Sequence, residues 1–283
     1  ELNKSNVLNK KKYSLKYLRT ICSTGSPLSE DNFKFIYKKV KSNVHLASIS
    51  GGTDIVSCFV LGNIYEPVRL GEIQNCGLGM NVGVFNSNGK LVKNKKGELI
   101  CKSPFPSMPT RFWNDLNDKK YKEAYFSRYK NIWHHGDYAE QKNSNGFIIY
   151  GRSDATLNPG GIRIGTSEIY RAVETLDEVV ESLAVAQKWD NDIRIILFAK
   201  LKPTEELTEE LIKKIKSRIR AHTSIRHVPA KVIKIMDIPK TKSGKIVELS
   251  VRDIVNGEKP KNIEALENPE CLNEYENIEE LKK

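Results

Sequence analysis

The chain has 283 residues, of which 39% are hydrophobic and 29% charged, with a formal net charge of +11. The length suggests two domains, and the composition is typical of a folded, water-soluble protein. No apolar run reaches the roughly 18 residues of a membrane span, and residues 1–6 lack the apolar core of a signal peptide. We therefore predict no membrane partner and a cytoplasmic location.

The cysteine pattern and the net charge exclude further kinds of site and partner. Five cysteines are scattered along the chain without a Cys-x-x-Cys pair, which argues against a zinc motif or a disulfide framework. The positive charge favours an anionic partner, either nucleic acid or a phosphorylated small molecule. Because the lysines are dispersed and no basic block alternates with aromatic residues, we predict no nucleic-acid partner.

The first predicted elements are those of a parallel α/β layer. An apolar stretch at 15–23 leads into a glycine-bearing loop, Ser29 caps a helix with apolar residues at three- and four-residue spacing, and 44–49 is a second strand. A second glycine-bearing loop, 50–54, follows that strand. Since the carboxyl ends of parallel strands meet at one edge of a sheet, we expect both loops at a ligand-binding edge.

The middle of the chain predicts a small antiparallel sheet. Turn signals are dense over 60–103, and Asn88-Gly89 is typical of a hairpin turn. A proline-rich loop and an aromatic-rich segment precede the segment 133–138, which we expect to end a strand before a turn. His134 and His135 are neighbours in this strand, so they should face apart and make a poor metal pair. We interpret both histidines as structural.

The stretch 151–165 contains four glycines, one proline and two arginines, and so predicts neither a regular helix nor a central strand. Two interpretations remain open on these residues alone. The stretch is either a surface linker between domains, or a hinge that also carries two anion-binding cations, Arg152 and Arg163.

The remainder predicts a compact α+β domain and a tail. A polar loop at 239–245 ends in Lys245, and a glutamate-rich tail at 258–283 is expected to be helical at its end. The predicted elements are a helix capped by Thr166 or Ser167, strands at 182–186 and 194–201, a helix at about 208–222, and a strand at 230–236.

Several side chains have both a functional and a structural interpretation. Thr53 could bond a phosphate and Asp54 could hold Mg²⁺, but ordinary βα turns explain them equally well. Asp137 could accept hydrogen bonds from a ribose diol, or it could stabilise a turn. Lys245 could serve catalysis, although a lone lysine in a loop is usually solvated. Taken singly, these residues do not decide the function.

Taken together, six segments resemble motifs of the AMP-forming acyl-CoA synthetases, within the adenylate-forming superfamily, over about residues 20–283. The segments are Thr24-Gly25-Ser26-Pro27, Gly52-Thr53-Asp54, Gly97-Glu98-Leu99, Gly136-Asp137, Gly151-Arg152-Ser153-Asp154 with the glycine loop 160–165, and the loop 239–245. The resemblance implies an α/β remnant of the large adenylate-forming domain with a small antiparallel sheet at 1–153. It also implies a smaller, mobile α+β domain at 154–257 and a tail at 258–283.

The resemblance implies a role for each motif and three cofactors: ATP, Mg²⁺ and coenzyme A. Lys245 is the catalytic residue of adenylation, Asp154 is the hinge, and Asp54 binds Mg²⁺. Gly160 and Gly161 face coenzyme A. The residues expected to contact ATP or AMP are Gly25, Ser26, Pro27, Thr53, Asp137, Arg152 and Arg163.

Within that family the chain is most similar to the acetoacetyl-CoA synthetase subfamily. Gly51 and Gly52 stand where a large ring closes the acyl pocket of acetyl-CoA synthetases, and segments at 105–109, 112–115 and 265–270 also match. The implied reaction converts acetoacetate, ATP and CoA into acetoacetyl-CoA, AMP and diphosphate through an acyl-adenylate. The alternatives are an inactive remnant or a synthetase for another short-chain acid.

Two departures from the family pattern affect the expected activity. The Ser/Thr/Gly-rich phosphate loop expected before residue 20 is not found, and Ala155 replaces the second acidic residue of the hinge motif. We therefore expect a fragment without the N-terminal half of a synthetase, with weakened ATP binding.

Overall fold

The computed structural model describes residues 14–283. The chain divides into two compact units, the first ending at Ser153 and the second running from Asp154 to Lys283. The division falls within the glycine-rich stretch 151–165. No helix in the described residues is both long enough and apolar enough to cross a membrane.

The first unit begins with the expected parallel layer. Strand β1 (Thr20–Ser23) pairs in parallel with β2 (His45–Ser48), and helix α1 (Glu30–Phe35) with a π-helical turn lies between them in the chain. Ser29 caps α1 as predicted, since its hydroxyl accepts the Asn32 N–H at 3.4 Å.

Two antiparallel sheets complete the first unit and confirm the small-sheet prediction. One contains β3 (Ser50–Gly52), β4 (Ser57–Leu61) and β5 (Asn75–Cys76). The other has the order β6 (Val82–Phe85), β7 (Lys96–Cys101), β8 (Trp133–Gln141) and β9 (Phe147–Arg152). Helix α2 (Lys119–Phe126) precedes β8. The predicted turn at Asn88-Gly89 is present, with Gly89 N–H donating to the Asn86 carbonyl at 3.0 Å.

Two predicted boundaries in this unit are wrong. Gly51 and Gly52 lie in β3 rather than in a loop, and the strand expected to end at Tyr138 continues to Gln141. Gly136 occupies a β-bulge with φ +80°, a conformation that glycine adopts without strain while the strand continues.

The second unit is a mixed sheet covered on both faces. Strands β10 (Val179–Trp189) and β11 (Asp192–Leu201) are antiparallel, and β12 (Lys231–Ile235) joins β11 in parallel after helix α4 (Glu209–His222). Helices α3 (Thr166–Val173) and α4 pack on one face and α5 (Glu248–Val255) on the other. Burial on both faces explains the continuous apolar sequence of the two long strands.

One further prediction in this unit needs correction. Gly165, not Thr166 or Ser167, precedes α3, and its N–H donates to the Glu168 carboxylate at 3.0 Å, so both hydroxyl residues are already inside the helix and buried.

The segment 258–283 forms three short 3₁₀ helices. Its apolar residues Leu266, Leu272, Tyr275 and Leu281 belong to the core cluster beside α5.

Candidate functional site

The two glycine-bearing segments leave the parallel layer at the same edge, as predicted. Ser23 and Ser48 are partners at the ends of β1 and β2, and the Ile49 N–H donates to the Ser23 carbonyl at 2.9 Å. Gly25 has φ +92° and no atom within 4 Å of the position of a Cβ. Glycine is therefore suited here by its backbone angle and leaves an open surface beside the loop.

Asp137 is a buried carboxylate near this edge, with 7% of its surface exposed. The Ser50 hydroxyl donates to its Oδ2 at 3.3 Å, and the Arg152 guanidinium donates to its Oδ1 at 3.2 Å. Arg152 also donates to the His135 carbonyl at 3.0 Å, which orients the guanidinium beside the carboxylate. A buried anion is tolerated when a cation and hydrogen bonds compensate it, so this carboxylate is held as an oriented acceptor.

His135 belongs to the same cluster, and the sequence analysis missed it. Its Nε2 lies 3.3 Å from the Gly51 carbonyl and 3.7 Å from Asp137 Oδ2, and its ring packs edge-on against Phe59. The available signal was its position two residues before Asp137, because such residues share a face of a strand. His134 faces the other way, towards Glu98 at 2.9 Å, so the two histidines point apart as predicted.

Close packing explains why glycine occupies positions 51 and 52, and the sequence alone did not suggest this explanation. A Cβ at Gly51 would lie 2.1 Å from the Ser57 carbonyl oxygen of β4, and a Cβ at Gly52 would lie 2.9 Å from His135 Cε1. Both distances are below van der Waals contact, so any side chain would require β4 or the imidazole to move. Their place in an acyl pocket remains a prediction.

Thr53 and Asp54 are exposed in the turn that joins β3 to β4. The Tyr125 hydroxyl donates a short hydrogen bond to Asp54 Oδ2. Burial, together with this bond, raises the pKa of Tyr125 above its ordinary value, so the phenol stays protonated and donates. Tyr125 is itself fixed by stacking on Trp133 at a centroid distance of 3.7 Å.

The donors around Asp54 fit a cation that arrives with phosphates. No group of three or more His, Cys, Asp or Glu side chains that could hold a metal ion occurs within residues 14–283. Asp54 offers one carboxylate, oriented by Tyr125. Mg²⁺ in nucleotide sites is commonly bound by one or two carboxylates, substrate phosphates and water, and Asp54 suits that mode.

In the second unit, Gly160 and Gly161 form an exposed turn. Their φ angles are +56° and +78°, and the backbones of Leu157 and Ile164 pair across the base of the loop at 2.8 and 2.9 Å. The Asp192 carboxylate accepts the Gly160 N–H at 3.1 Å, which fixes the tip of the loop. The structure therefore presents bare backbone at the surface here, as the glycine pair suggested.

The two arginines of the linker belong to different units. Arg152 ends β9 in the first unit, whereas Arg163 lies beyond Asp154, where its Nε donates to the Thr156 hydroxyl at 3.1 Å. The structure thus places each arginine in its own local hydrogen-bonding group. A joint phosphate clamp by both remains a prediction.

Lys245 ends a tight hairpin. The Thr241 N–H donates to the Lys245 carbonyl at 2.8 Å, the Lys245 N–H donates to the Thr241 hydroxyl at 3.1 Å, and Gly244 turns the chain with φ +79°. The backbone is therefore well held. Within the described part of the chain, the Lys245 ammonium has neither an ion pair nor a hydrogen bond.

Four of the five thiols are poorly suited to act as nucleophiles. All five cysteines are free. Burial raises the pKa of Cys58, Cys76 and Cys101 above the usual thiol value, and burial raises that of Cys271 to about 12. Thiols with raised pKa values are poor nucleophiles at neutral pH because little thiolate is present.

Comparison with known proteins shows which family the chain resembles. No protein-family model matches the chain. The acetoacetyl-coenzyme A synthetase of Rhizobium meliloti (strain 1021) is 58% identical over 270 residues, and the acetoacetyl-CoA synthetase of Xenopus tropicalis is 47% identical over 272 residues. The chain is homologous to the C-terminal portion of acetoacetyl-CoA synthetases. The predicted resemblance to this adenylate-forming family is thereby confirmed.

The relatives are considerably longer than the chain. Both alignments cover 95% of this chain, but only 42% of the Rhizobium protein and 40% of the Xenopus protein. The solved structure of acetoacetyl-CoA synthetase from Streptomyces lividans matches with a TM-score of 0.90 and 35% identity, over 100% of this chain and 44% of that one. The match confirms the predicted fold class, and the chain spans about two fifths of the length of the curated relatives.

Proposed function

We propose that this chain acts as the C-terminal portion of an acetoacetate–CoA ligase. The reaction joins acetoacetate to ATP as an acyl-adenylate with release of diphosphate, and CoA then displaces AMP. The observation that carries the proposal is the buried Asp137 carboxylate, held by Ser50 and Arg152 at the ligand-binding edge of a chain that is 58% identical to an acetoacetyl-CoA synthetase. The substrate and the activity belong to the proposal.

The adenosine end of ATP is assigned to the first unit. Asp137 accepts hydrogen bonds from the ribose hydroxyls, and the loop Gly25-Ser26-Pro27 lies against the adenine. Arg152 brings positive charge beside the ribose, where a guanidinium can also bond phosphate oxygens. His135 and Ser50 keep the carboxylate and strand β3 in a fixed relation, which preorganises the acceptor before the nucleotide binds.

The phosphate end is assigned to the turn after β3. Thr53 donates its hydroxyl to a phosphate oxygen, and Asp54, oriented by Tyr125, supplies a carboxylate oxygen for Mg²⁺. When bound, Mg²⁺ neutralises charge on the phosphate oxygens. Lys245 adds a second cation as charge shifts onto the leaving diphosphate, which is the usual source of rate enhancement in such transfers.

The second unit is assigned two tasks in succession. Lys245 serves adenylation, and Arg163 contributes a phosphate contact. The unit then turns at Asp154, so that the exposed backbone of Gly160 and Gly161 meets coenzyme A. The hairpin has a held backbone, and its Lys245 ammonium has no partner among residues 14–283, which suits a cation that approaches a substrate only during part of the cycle.

The acyl substrate is assigned to the side of β3 that carries Gly51 and Gly52. Acetoacetate is the first choice because relatives that are 58% and 47% identical are acetoacetyl-CoA synthetases. Another short-chain acid is the alternative at this position. The packing of Gly51 against Ser57 and of Gly52 against His135 means that glycine here does not by itself measure the size of the pocket.

Acid-dependent exchange of labelled diphosphate into ATP tests the proposal. Exchange that requires acetoacetate, and is weaker with acetate and butyrate, would support the ligase. If another acid supports the exchange best, that acid is the substrate, and the proposed adenylation chemistry stands.

A non-catalytic remnant of such a ligase is the second candidate. A chain that binds AMP but shows no exchange with any acid would establish this candidate instead. A cytoplasmic location and the absence of a nucleic-acid partner remain predictions.

A further inference from the structure

Val56 has a backbone conformation that its own side chain disfavours. Its φ is +47°, in the left-handed region that a β-branched residue enters only with strain. Within residues 14–283, eleven residues other than glycine have a positive φ, and the ten besides Val56 are all asparagine or aspartate. Those two residue types tolerate the region because their short polar side chains bond nearby backbone groups. Valine has no such compensation, so its presence at position 56 lowers the stability of the fold.

The side chain of Val56 contributes almost nothing to the core in return. It is 88% exposed, whereas the neighbouring Ile55 is fully buried in the core cluster of the first unit. A valine side chain normally stabilises a fold through the apolar surface that it buries, and Val56 buries very little. Backbone strain of this kind concentrates at ligand sites, where the contact made with the ligand offsets it.

Val56 closes the turn that carries the proposed phosphate contacts. Its N–H donates to the Thr53 carbonyl at 3.1 Å, so the two residues are the ends of one β-turn, whose terminal Cα atoms lie within about 7 Å of each other. Asp54 lies between them in this turn, and the next residue, Ser57, pairs with Gly52 of β3. The isopropyl group of Val56 is therefore exposed at the turn that the proposed function assigns to the phosphates.

The covalent structure of an acyl-adenylate brings its acyl chain to the same place. In that intermediate the carboxyl carbon is joined to the α-phosphorus through a single oxygen, so a short acyl chain lies beside the phosphate. The acyl chain carries no charge once the carboxylate has been esterified, and apolar side chains favour such a group. Asparagine or glycine at position 56 would fit the turn, but asparagine would present a polar amide to the chain and glycine would present no side chain.

We propose that Val56 is a specificity-determining residue that contacts the acyl chain of the acyl-adenylate. Its isopropyl group removes apolar surface of that chain from water, and this gain on binding offsets the strain of its backbone. The inference rests on the proposed function in one respect, namely that Thr53 and Asp54 lie at the phosphates. It gives the acyl site a side chain that contacts the substrate, whereas the glycines of β3 are explained by packing within the fold.

Urea unfolding of Val56→Gly tests the strain. Glycine adopts a positive φ freely, so the variant should raise the urea midpoint of the chain by about 0.3 M, from the relief of one left-handed β-branched residue and a typical dependence on urea. Asn131→Gly is the matched control, because Asn131 is exposed in the same unit with φ +59° and its replacement should leave the midpoint unchanged. A lower midpoint in Val56→Gly would show that valine stabilises the turn, and would overturn the inference.

Calorimetric titration with AMP and with its butyl ester, adenosine 5′-butylphosphate, tests the contact. The ester places an uncharged alkyl chain on the phosphate and is not a substrate for transfer to CoA. We expect the wild-type chain to bind the ester more tightly than AMP. Val56→Gly should lower that preference by about three- to tenfold, the effect of one or two methyl groups that are no longer buried, with little change in the affinity for AMP. Val56→Asn should lower it similarly, and Asn131→Gly should keep it.

The outcomes separate this inference from the proposed function. If Val56→Gly is more stable but keeps the wild-type preference for the ester, the strained valine makes no acyl contact and the inference is overturned. A wild-type chain that binds AMP and the ester equally also overturns it, and leaves the assignment of Asp137 to the ribose in place. A chain that binds neither compound removes both proposals, whereas a preference for the ester without diphosphate exchange removes only the ligase activity.

Discussion

Asp137 in the first unit and Lys245 in the second differ in how firmly their charged groups are held, although both are assigned to the same nucleotide. Asp137 is 7% exposed and is surrounded by Ser50, His135 and Arg152. Lys245 is on a hairpin, and within residues 14–283 its ammonium has no protein partner. A carboxylate that binds ribose hydroxyls benefits from being fixed in advance, whereas a cation that serves one step must be able to leave.

The largest effect is expected at Lys245. Replacement with alanine should lower the rate of adenylate formation by about 100- to 1000-fold, the range for removal of one preorganised charge-stabilising group. It should spare the transfer of a preformed acyl-adenylate to CoA. The rates of the two half-reactions, measured separately, provide the check.

Lys242→Ala is the matched control for that experiment. Lys242 is an exposed lysine on the same hairpin, so its loss changes the net charge equally and should alter either rate less than twofold. Equal loss of both half-reactions in Lys245→Ala would count against its assignment to adenylation.

Asp137→Asn should weaken AMP binding by about 10- to 100-fold. Hydrogen bonds to a charged acceptor contribute roughly 1.5–3 kcal/mol, and the amide also removes the negative charge beside Arg152. Calorimetric titration of AMP into the chain measures the loss. Glu123→Gln, which removes an exposed carboxylate from α2, should bind AMP normally. Unchanged affinity in Asp137→Asn would move the ribose site elsewhere.

Glycines of the two units should respond differently to alanine. Gly51→Ala should destabilise the first unit by about 2 kcal/mol, because the new Cβ would lie 2.1 Å from the Ser57 carbonyl and force β4 to move. Gly161→Ala meets no atom within 4 Å, so only its φ of +78° opposes it, at a cost of about 1 kcal/mol. Urea unfolding of both variants measures the difference. Equal effects would mean that backbone angle alone explains both glycines.

Glu248, a partly buried residue of the second unit, gives the smallest effect. Glu248 accepts from the Thr166 and Tyr170 hydroxyls at 3.1 and 3.2 Å. Burial, with a further contribution from Asp154, raises the pKa of Glu248 above its ordinary value. Between those two values the folded state binds more protons than the unfolded state, so the free energy of unfolding falls as pH rises through the window.

Glu248→Gln should remove that fall while keeping an oxygen that accepts both hydroxyls. Urea unfolding at pH 4.5, 6 and 7.5 checks this expectation, with wild-type and variant curves converging at the lowest pH. A wild-type stability that rises with pH relative to the variant would reverse the sign and contradict the assignment. Asp137 differs in that its carboxylate bonds the Arg152 guanidinium, whereas Glu248 accepts from the neutral hydroxyls of Thr166 and Tyr170.

Much of the fold and of the site was accessible from the sequence. The parallel β1–α1–β2 layer, the cap at Ser29, helix α4 and strands β10 to β12 follow from periodicity and capping chemistry, which act over a few residues. The motif order was sufficient to identify the family, since each motif is a local pattern of glycine, proline and charge. All of these patterns depend on residues that are close together in the sequence.

The tertiary structure decided the features that depend on distant contacts. Ser50 and Asp137 are 87 residues apart in the chain, and their hydrogen bond cannot be inferred from either local sequence. The lack of room for a side chain at Gly51 depends on the path of β4. The burial of the apolar residues of 258–283 depends on the core cluster beside α5, in which they pack. The sequence by itself determined which elements form and which family they belong to. Only packing determined which side chains meet, because burial and partner geometry are properties of the whole fold rather than of any segment.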